Sequence, residues 1–309
     1  MPNSGIAFQI GFLTVRWYGI LIVSGMIIAM FLAIWAAKRR GFDVDELLNM
    51  VLIAIPAGII GARLYYVVFM WPSMYAADPV SALYIWKGGL AIHGGLLGGI
   101  LAVFLYCYFK KQPFWAWADI IIPGVPLAQA IGRWGNYFNQ EAYGYVTDLP
   151  WAMYIDGAYR HPTFLYESVW DFSCFILLVL LSLHWKKRKD GGLLATYFIY
   201  YSIGRFVVEC FRTDSLMLGG GKAVSMALII QEAIQKGDVS LLWAQGIPIA
   251  LLISLIGVAA GVMVLLFNRK YGRRAKGKTS KALPKTTKTS KAAAKGGNKQ
   301  SATKTKNKR

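Results

Sequence analysis

The chemistry of this chain concentrates at residues 132–144, GRWGNYFNQEAYG, where Arg133, Asn136, Asn139, Gln140 and Glu141 interrupt an apolar stretch. An arginine at the centre of a membrane helix costs about 3 kcal/mol on insertion scales, so such a group is expected to face a cavity. Gln129, Arg133, Asn136 and Gln140 are spaced four, three and four apart, the spacing that lines side chains along one helix face. Gly132 and Gly135 leave the adjoining face smooth enough for another helix or a lipid tail to pack closely. A second set, Arg205, Glu209 and Arg212, shares a face in the same way. Around these stand His93 among the paired glycines of GGLAIHGGLLGG, Arg63 in GARLYY, Glu167 in HPTFLYE, and Tyr18 just after Arg16 and Trp17.

Planar guanidinium forks make paired hydrogen bonds to phosphate oxygens, and a histidine or glutamate beside them can move a proton. With too few acids expected to face the arginines, the set points to an anionic ligand, and the phosphate most available within a membrane is a lipid headgroup. Each residue also has a structural reading. Tyr18 suits an interfacial aromatic belt, His93 a hydrogen-bonded helix end, Arg205 with Glu209 an ion pair, and Glu167 a partner for an arginine. From the residues alone, acid–base groups beside an anionic lipid follow. The reaction does not.

The elements that must hold these groups are apolar. Of 309 residues 56% are hydrophobic and only 16% charged, which excludes an ordinary soluble domain. Apolar runs predict seven helices crossing a membrane, near 17–37, 47–70, 89–109, 117–138, 164–184, 192–210 and 247–268. The expected architecture is therefore an all-α integral membrane protein. Pro123 and Pro126 are expected to break the fourth span, which is tolerable where a helix lines a cavity. Residues 211–245 form a longer segment in which Val224, Ala227, Leu228, Ile230 and Ile234 recur at helical spacing, predicting a short surface helix. The first run, from near Trp17, is long enough to remain as a span rather than a cleaved leader.

The net charge of +19 is unevenly placed. Sixteen Lys and Arg and no acid lie in 269–309, so the body carries only +3. The chain thus divides into a membrane domain, 1–268, and a basic tail, 269–309, expected to be disordered and to touch anionic lipid, with no specific nucleic-acid partner. Clusters at 38–40, 110–111 and 186–189 alternate with weakly charged loops. With the tail, they put the N-terminus outside and the C-terminus in the cytoplasm. Cys107, Cys174 and Cys210 fall in or at the ends of apolar runs without metal-ligand spacing, and neither a metal nor a cofactor is expected.

GRWGNYFNQEAYG resembles the signature of bacterial prolipoprotein diacylglyceryl transferases. RWYG at 16–19, GAR at 61–63, HGGL at 93–96, HPTFLYE at 161–167 and GRFVVECFRTD at 204–214 follow in that family's order. The resemblance covers roughly residues 10–268. It implies transfer of an sn-1,2-diacylglyceryl group from phosphatidylglycerol to the lipobox cysteine of a prolipoprotein whose signal peptide is still attached, in the bacterial cell membrane. A thioether forms and glycerol 1-phosphate leaves. It further implies that Arg133 and Arg205 hold the phosphate, with Glu209 and Arg212 in the same motif. Asn136, Asn139 and Glu141 would shape the headgroup pocket, His93 would serve as base, and Tyr18 would belong to the site. Phe164 stands where many relatives carry glutamine, so no polar task is expected there. A flippase using the same arginines, or an acyltransferase using its own cysteine, are the rival readings.

Overall fold

The computed structural model describes residues 5–11, 13–185, 188–214, 217–218, 225–238 and 247–271. Nearly all of it is helix. Strands β1 (Ile6–Ile10) and β2 (Leu13–Arg16) form an antiparallel hairpin ahead of helix α1 (Trp17–Arg40). Gly41, at φ 72°, closes α1 by donating its N–H to Lys38, and α2 (Val44–Met70) starts at once under an Asp43 side-chain cap. A π-turn (Trp71–Tyr75) and two 3₁₀ turns (Pro79–Leu83 and Ile85–Lys87) lead to α3 (Ile92–Phe109).

The proline pair does what its chemistry requires. Helix α4 (Phe114–Ile121) stops, and α5 (Gly124–Asn139) resumes bent by 41°. A short hairpin of β3 (Met153–Ile155) and β4 (Ala158–Arg160) precedes α6 (Thr163–His184) and α7 (Gly192–Glu209). Helix α8 (Met226–Lys236) lies in the segment expected to hold a surface helix. It buries Ile229 and Ala233 and leaves Ile234 exposed. Val224 and most of the basic tail lie outside the described residues. Strands β5 (Met217–Leu218) and β6 (Ile247–Pro248) pair before the last helix, α9 (Ile249–Tyr271).

Helices stand at all seven positions where spans are expected. Five are long and apolar enough to cross a membrane, α1, α2, α3, α6 and α9, and the bent α4–α5 pair makes a sixth if taken as one span. Helix α7 is not among them, because its tyrosines, glycines and terminal Arg205 and Glu209 dilute its apolar character. The chain is thus a helical, multi-pass membrane protein. Large apolar side chains such as Leu52, Val68 and Ile92 point outward, as they do toward lipid.

Helices α2 and α3 touch backbone to backbone. A side chain at Gly94 would collide with the Gly61 carbonyl and with Tyr65, and one at Gly98 with the Ala57 carbonyl. Helix α5 packs on α1 and α6, α6 on α7, and α7 on α9. At one end of α7, Asp119 of α4 accepts hydrogen bonds from the Leu193 and Leu194 amides at 3.0 and 3.1 Å. Nearby, Arg40 reaches Asp190 at 2.5 Å, and Asn268 donates to the Asp190 carbonyl at 2.8 Å. This network ties the ends of α1, α4, α7 and α9 together and leaves the opposite end of α7 to the arginines.

Candidate functional site

The polar stripe of α5 divides its partners. Gln129 accepts from the Tyr197 hydroxyl at 3.0 Å. Arg133, one turn on, turns toward α6, where its Nη1 lies 3.0 Å from Glu167 Oε2. Asn136 and Asn139 both donate to Glu141 Oε1, at 3.1 and 3.0 Å. Gln140 leaves the helix at φ 52° and ties α5 to the β3–β4 turn by accepting from the Asp156 amide at 2.9 Å.

Helices α6 and α7 meet where Gly204 has no side chain. The Trp170 indole fills that space and donates to the Tyr200 carbonyl at 2.9 Å. Ser168 draws α5 close by donating to the Ala130 carbonyl at 2.9 Å. With the three helices so held, Arg205 Nη1 reaches Glu167 Oε1 at 2.6 Å and its Nη2 reaches Glu209 Oε2 at 2.5 Å. Arg212, just beyond α7, forks onto Asp214 at 2.9 and 2.7 Å and lies 3.8 Å from Glu167. Glu167 is therefore the carboxylate on which all three guanidinium groups converge, and it is only 4% exposed.

A small cavity opens here, lined by Arg133, Glu167, Trp170, Asp171, Tyr201, Gly204, Arg205 and Val208. The expected shortage of acids is corrected by this geometry: Glu167, Asp171, Glu209 and Asp214 all face the arginines. Charges inside a membrane protein are stabilised by such pairing, so an arginine there brings its counter-ions with it. The pairing is geometrically incomplete. Glu167 Oε2, Asp171 Oδ2 and Glu209 Oε2 are buried near cations, yet none has a well-aligned hydrogen bond among the described residues. The cluster thus combines guanidinium donors with carboxylate acceptors that retain unused capacity.

Arg133, Arg205, Glu209 and Arg212 come together as their spacing implies. Asn136, Asn139 and Glu141 form a separate triad at the end of α5. The Tyr18 ring packs against Gly135. His93 sits in the first turn of α3, exposed, with its ring 6.2 Å from that of Tyr65, and it does not line the cavity. Arg63 is a structural clamp, donating to the carbonyls of Ala82, Gly88, Gly89 and Ser81. Asp171 and Tyr201 escape the reading of the sequence. Both stand four residues from a charged partner, Glu167 and Arg205, and that spacing inside apolar runs is the signal that marks them.

Tyr145, His161 and Phe211 pack edge-on and tilted with Tyr166 of the first turn of α6 and hold the loop between α5 and α6. The Trp151 indole donates to the Tyr166 hydroxyl at 2.9 Å, and that hydroxyl also hydrogen-bonds His161 Nδ1 at 3.1 Å. Burial lowers the His161 pKa from the ordinary 6.5. Phe164 is buried against Trp134 and Tyr137, in keeping with an apolar role.

A profile of the prolipoprotein diacylglyceryl transferase family matches residues 5–267. A phosphatidylglycerol–prolipoprotein diacylglyceryl transferase of Clostridioides difficile is 52% identical over 69% of this chain and 85% of its own length. Proteins of the same name from Thermosynechococcus vestitus and Streptococcus uberis are 42% and 47% identical. They align with 80% and 73% of this chain and with 96% and 91% of their own lengths.

Proposed function

Because this chain belongs to the prolipoprotein diacylglyceryl transferase family, we propose that it moves the sn-1,2-diacylglyceryl group of phosphatidylglycerol onto the lipobox cysteine of prolipoproteins. This is the first step of bacterial lipoprotein maturation. The observation that carries the site assignment is the convergence of Arg133, Arg205 and Arg212 on Glu167, which lines the cavity with the first two.

The reaction is a displacement at the glycerol carbon. The cysteine sulfur forms a bond to that carbon while the carbon–oxygen bond to phosphate breaks, and its electron pair stays on the departing glycerol 1-phosphate. Arg133 and Arg205 hold the phosphate, where charge gathers in the transition state and preorganised guanidinium groups act most strongly. A free thiol has a pKa near 8.5, so its proton needs an acceptor, and His93 is assigned that task. Asn136, Asn139 and Glu141 shape the entry of the headgroup, with Tyr18 packed alongside. Arg212 adds to the phosphate shell, and Glu209, paired with Arg205, belongs to the same phosphatidylglycerol-binding set. No step calls for a metal or an organic cofactor.

The finer architecture belongs to the same proposal. Seven spans run from an outside N-terminus to a cytoplasmic C-terminus, residues 1–268 form the catalytic domain, and 269–309 form a basic tail on the cytoplasmic face. The site opens toward the outer half of the cell membrane, where the signal peptide of a secreted precursor arrives.

The test is mass spectrometry of a lipobox peptide incubated with the purified protein and phosphatidylglycerol. A diacylglyceryl adduct on the peptide cysteine, lost in Arg133→Ala, is the expected result. A folded protein that binds phosphatidylglycerol and yields no adduct overturns the reading.

A further inference from the structure

Resting on the lipid-transfer reading above, we propose that Asp171 accepts a hydrogen bond from a free hydroxyl of the lipid headgroup and so selects a glycerol headgroup. Asp171 stands one turn beyond Glu167 on α6, lines the same cavity and is 2% exposed. Its nearest cation, Arg133 Nε, is 3.8 Å from Oδ2, beyond hydrogen-bond range. No protein donor reaches Asp171 Oδ2 among the described residues. The other two carboxylates of the cluster with an unfilled oxygen, Glu167 and Glu209, are each held against an arginine at 3.0 Å or less. Among the described residues, Asp171 is the cavity-lining carboxylate with an oxygen that no cation approaches within hydrogen-bond range.

A buried carboxylate without a donor is costly to maintain and gains when a ligand supplies one. A phosphate supplies only acceptors, which the arginines meet. The headgroup glycerol of phosphatidylglycerol adds two hydroxyl donors a few bonds from that phosphate. Arg133 and Asp171 line the same cavity side by side, so a phosphate held at the one sets such hydroxyls next to the other. Donors and an open acceptor side by side thus complement a phosphate joined to a hydroxyl-bearing chain. Trp170 and Val208, on the same wall, offer an alkyl headgroup only apolar contact.

The experiment compares two lipids of identical acyl chains, phosphatidylglycerol and phosphatidylpropanol, whose headgroup has no hydroxyl. Thioether formation on a lipobox peptide is followed in the intact protein. The wild type is expected to prefer phosphatidylglycerol about tenfold in kcat/KM, as a site built for a hydroxyl discriminates against its absence. Asp171→Ala should bring the ratio near one by losing phosphatidylglycerol turnover selectively. Asp171→Asn keeps a weaker acceptor and should fall between, which also covers an Ala variant that does not fold. A role confined to orienting Arg133 would slow both lipids equally, so an unchanged ratio in Asp171→Asn and Asp171→Ala overturns the assignment. A wild type without preference overturns it too. A wild type that forms no thioether from either lipid strikes the transfer reading itself.

Discussion

Arg133 loses much of its hydration on entering the helix bundle, and directional partners replace the water: Glu167 at one amino group and Asp171 beside Nε. That arrangement exploits the planar fork, which a lysine cannot reproduce although it keeps the charge. Arg133→Lys should therefore lower kcat/KM on the order of a hundredfold, as loss of a preorganised transition-state donor does. Initial rates of peptide lipidation measure this, and a lysine variant within a few-fold of wild type would leave charge alone sufficient. His161 makes a different prediction. Its folded pKa is depressed by burial, and its Nδ1 hydrogen-bonds the Tyr166 hydroxyl. Below the ordinary value of 6.5 the unfolded chain takes up a proton that the folded loop refuses. Its stabilising contribution is therefore complete above that pH and is lost as pH falls through the lower folded value. Hydrogen exchange across 140–162, corrected for its intrinsic pH dependence, should show protection at pH 7.5 that declines by pH 5.5. In His161→Gln the amide can still hydrogen-bond the Tyr166 hydroxyl but does not titrate, so the decline should flatten.

Helices α2 and α3 owe their contact to glycines that admit a neighbouring backbone, and this contact sets where His93 and the Arg63 clamp stand. Gly94→Val places a branched side chain on the Gly61 carbonyl and Tyr65. Overpacking of that kind should cost about 1–3 kcal/mol or more, read as a lower thermal midpoint in detergent. Gly19→Ala in α1, which meets open space, serves as the control and should leave the midpoint within a degree or two. The helices themselves are legible in the sequence, because a span needs only length and apolarity, and Pro123 with Pro126 marks the bend in α4–α5. The site was legible by halves. Spacing within one helix reveals that Arg205 and Glu209 share a face, but it is silent on which face of α6 lies opposite. Glu167 thus reads only as a partner for some arginine, and nothing in the sequence says that Asp171 faces the same cavity. The β1–β2 and β3–β4 hairpins also left little trace, since strands of three to five residues carry almost no periodic signal.

Across the molecule, apolar side chains turn outward while the buried arginines and carboxylates turn inward, the distribution required when lipid is the solvent. Two polar layers result. One joins Arg40, Asp119, Asp190 and Asn268, and the other joins Arg133, Glu167, Arg205 and Glu209, with α7 reaching from the first to the second. The basic clusters at 38–40 and 110–111 lie on the Asp119 side of α1 and α3, and the positive-inside rule assigns that side to the cytoplasm. In the proposed orientation the arginine layer faces outward, where a precursor still carrying its signal peptide is presented. Single cysteines at two exposed positions separate the alternatives, Asp148→Cys in the α5–α6 loop and Lys110→Cys after α3, both in a Cys210→Ser background that leaves only the buried Cys107 and Cys174. A membrane-impermeant maleimide applied to intact spheroplasts should label position 148 at once and position 110 only after permeabilisation. The reverse pattern would put the arginines on the cytoplasmic side, where an exported lipobox cysteine does not reside, and both the orientation and the acceptor assigned to it would fall together.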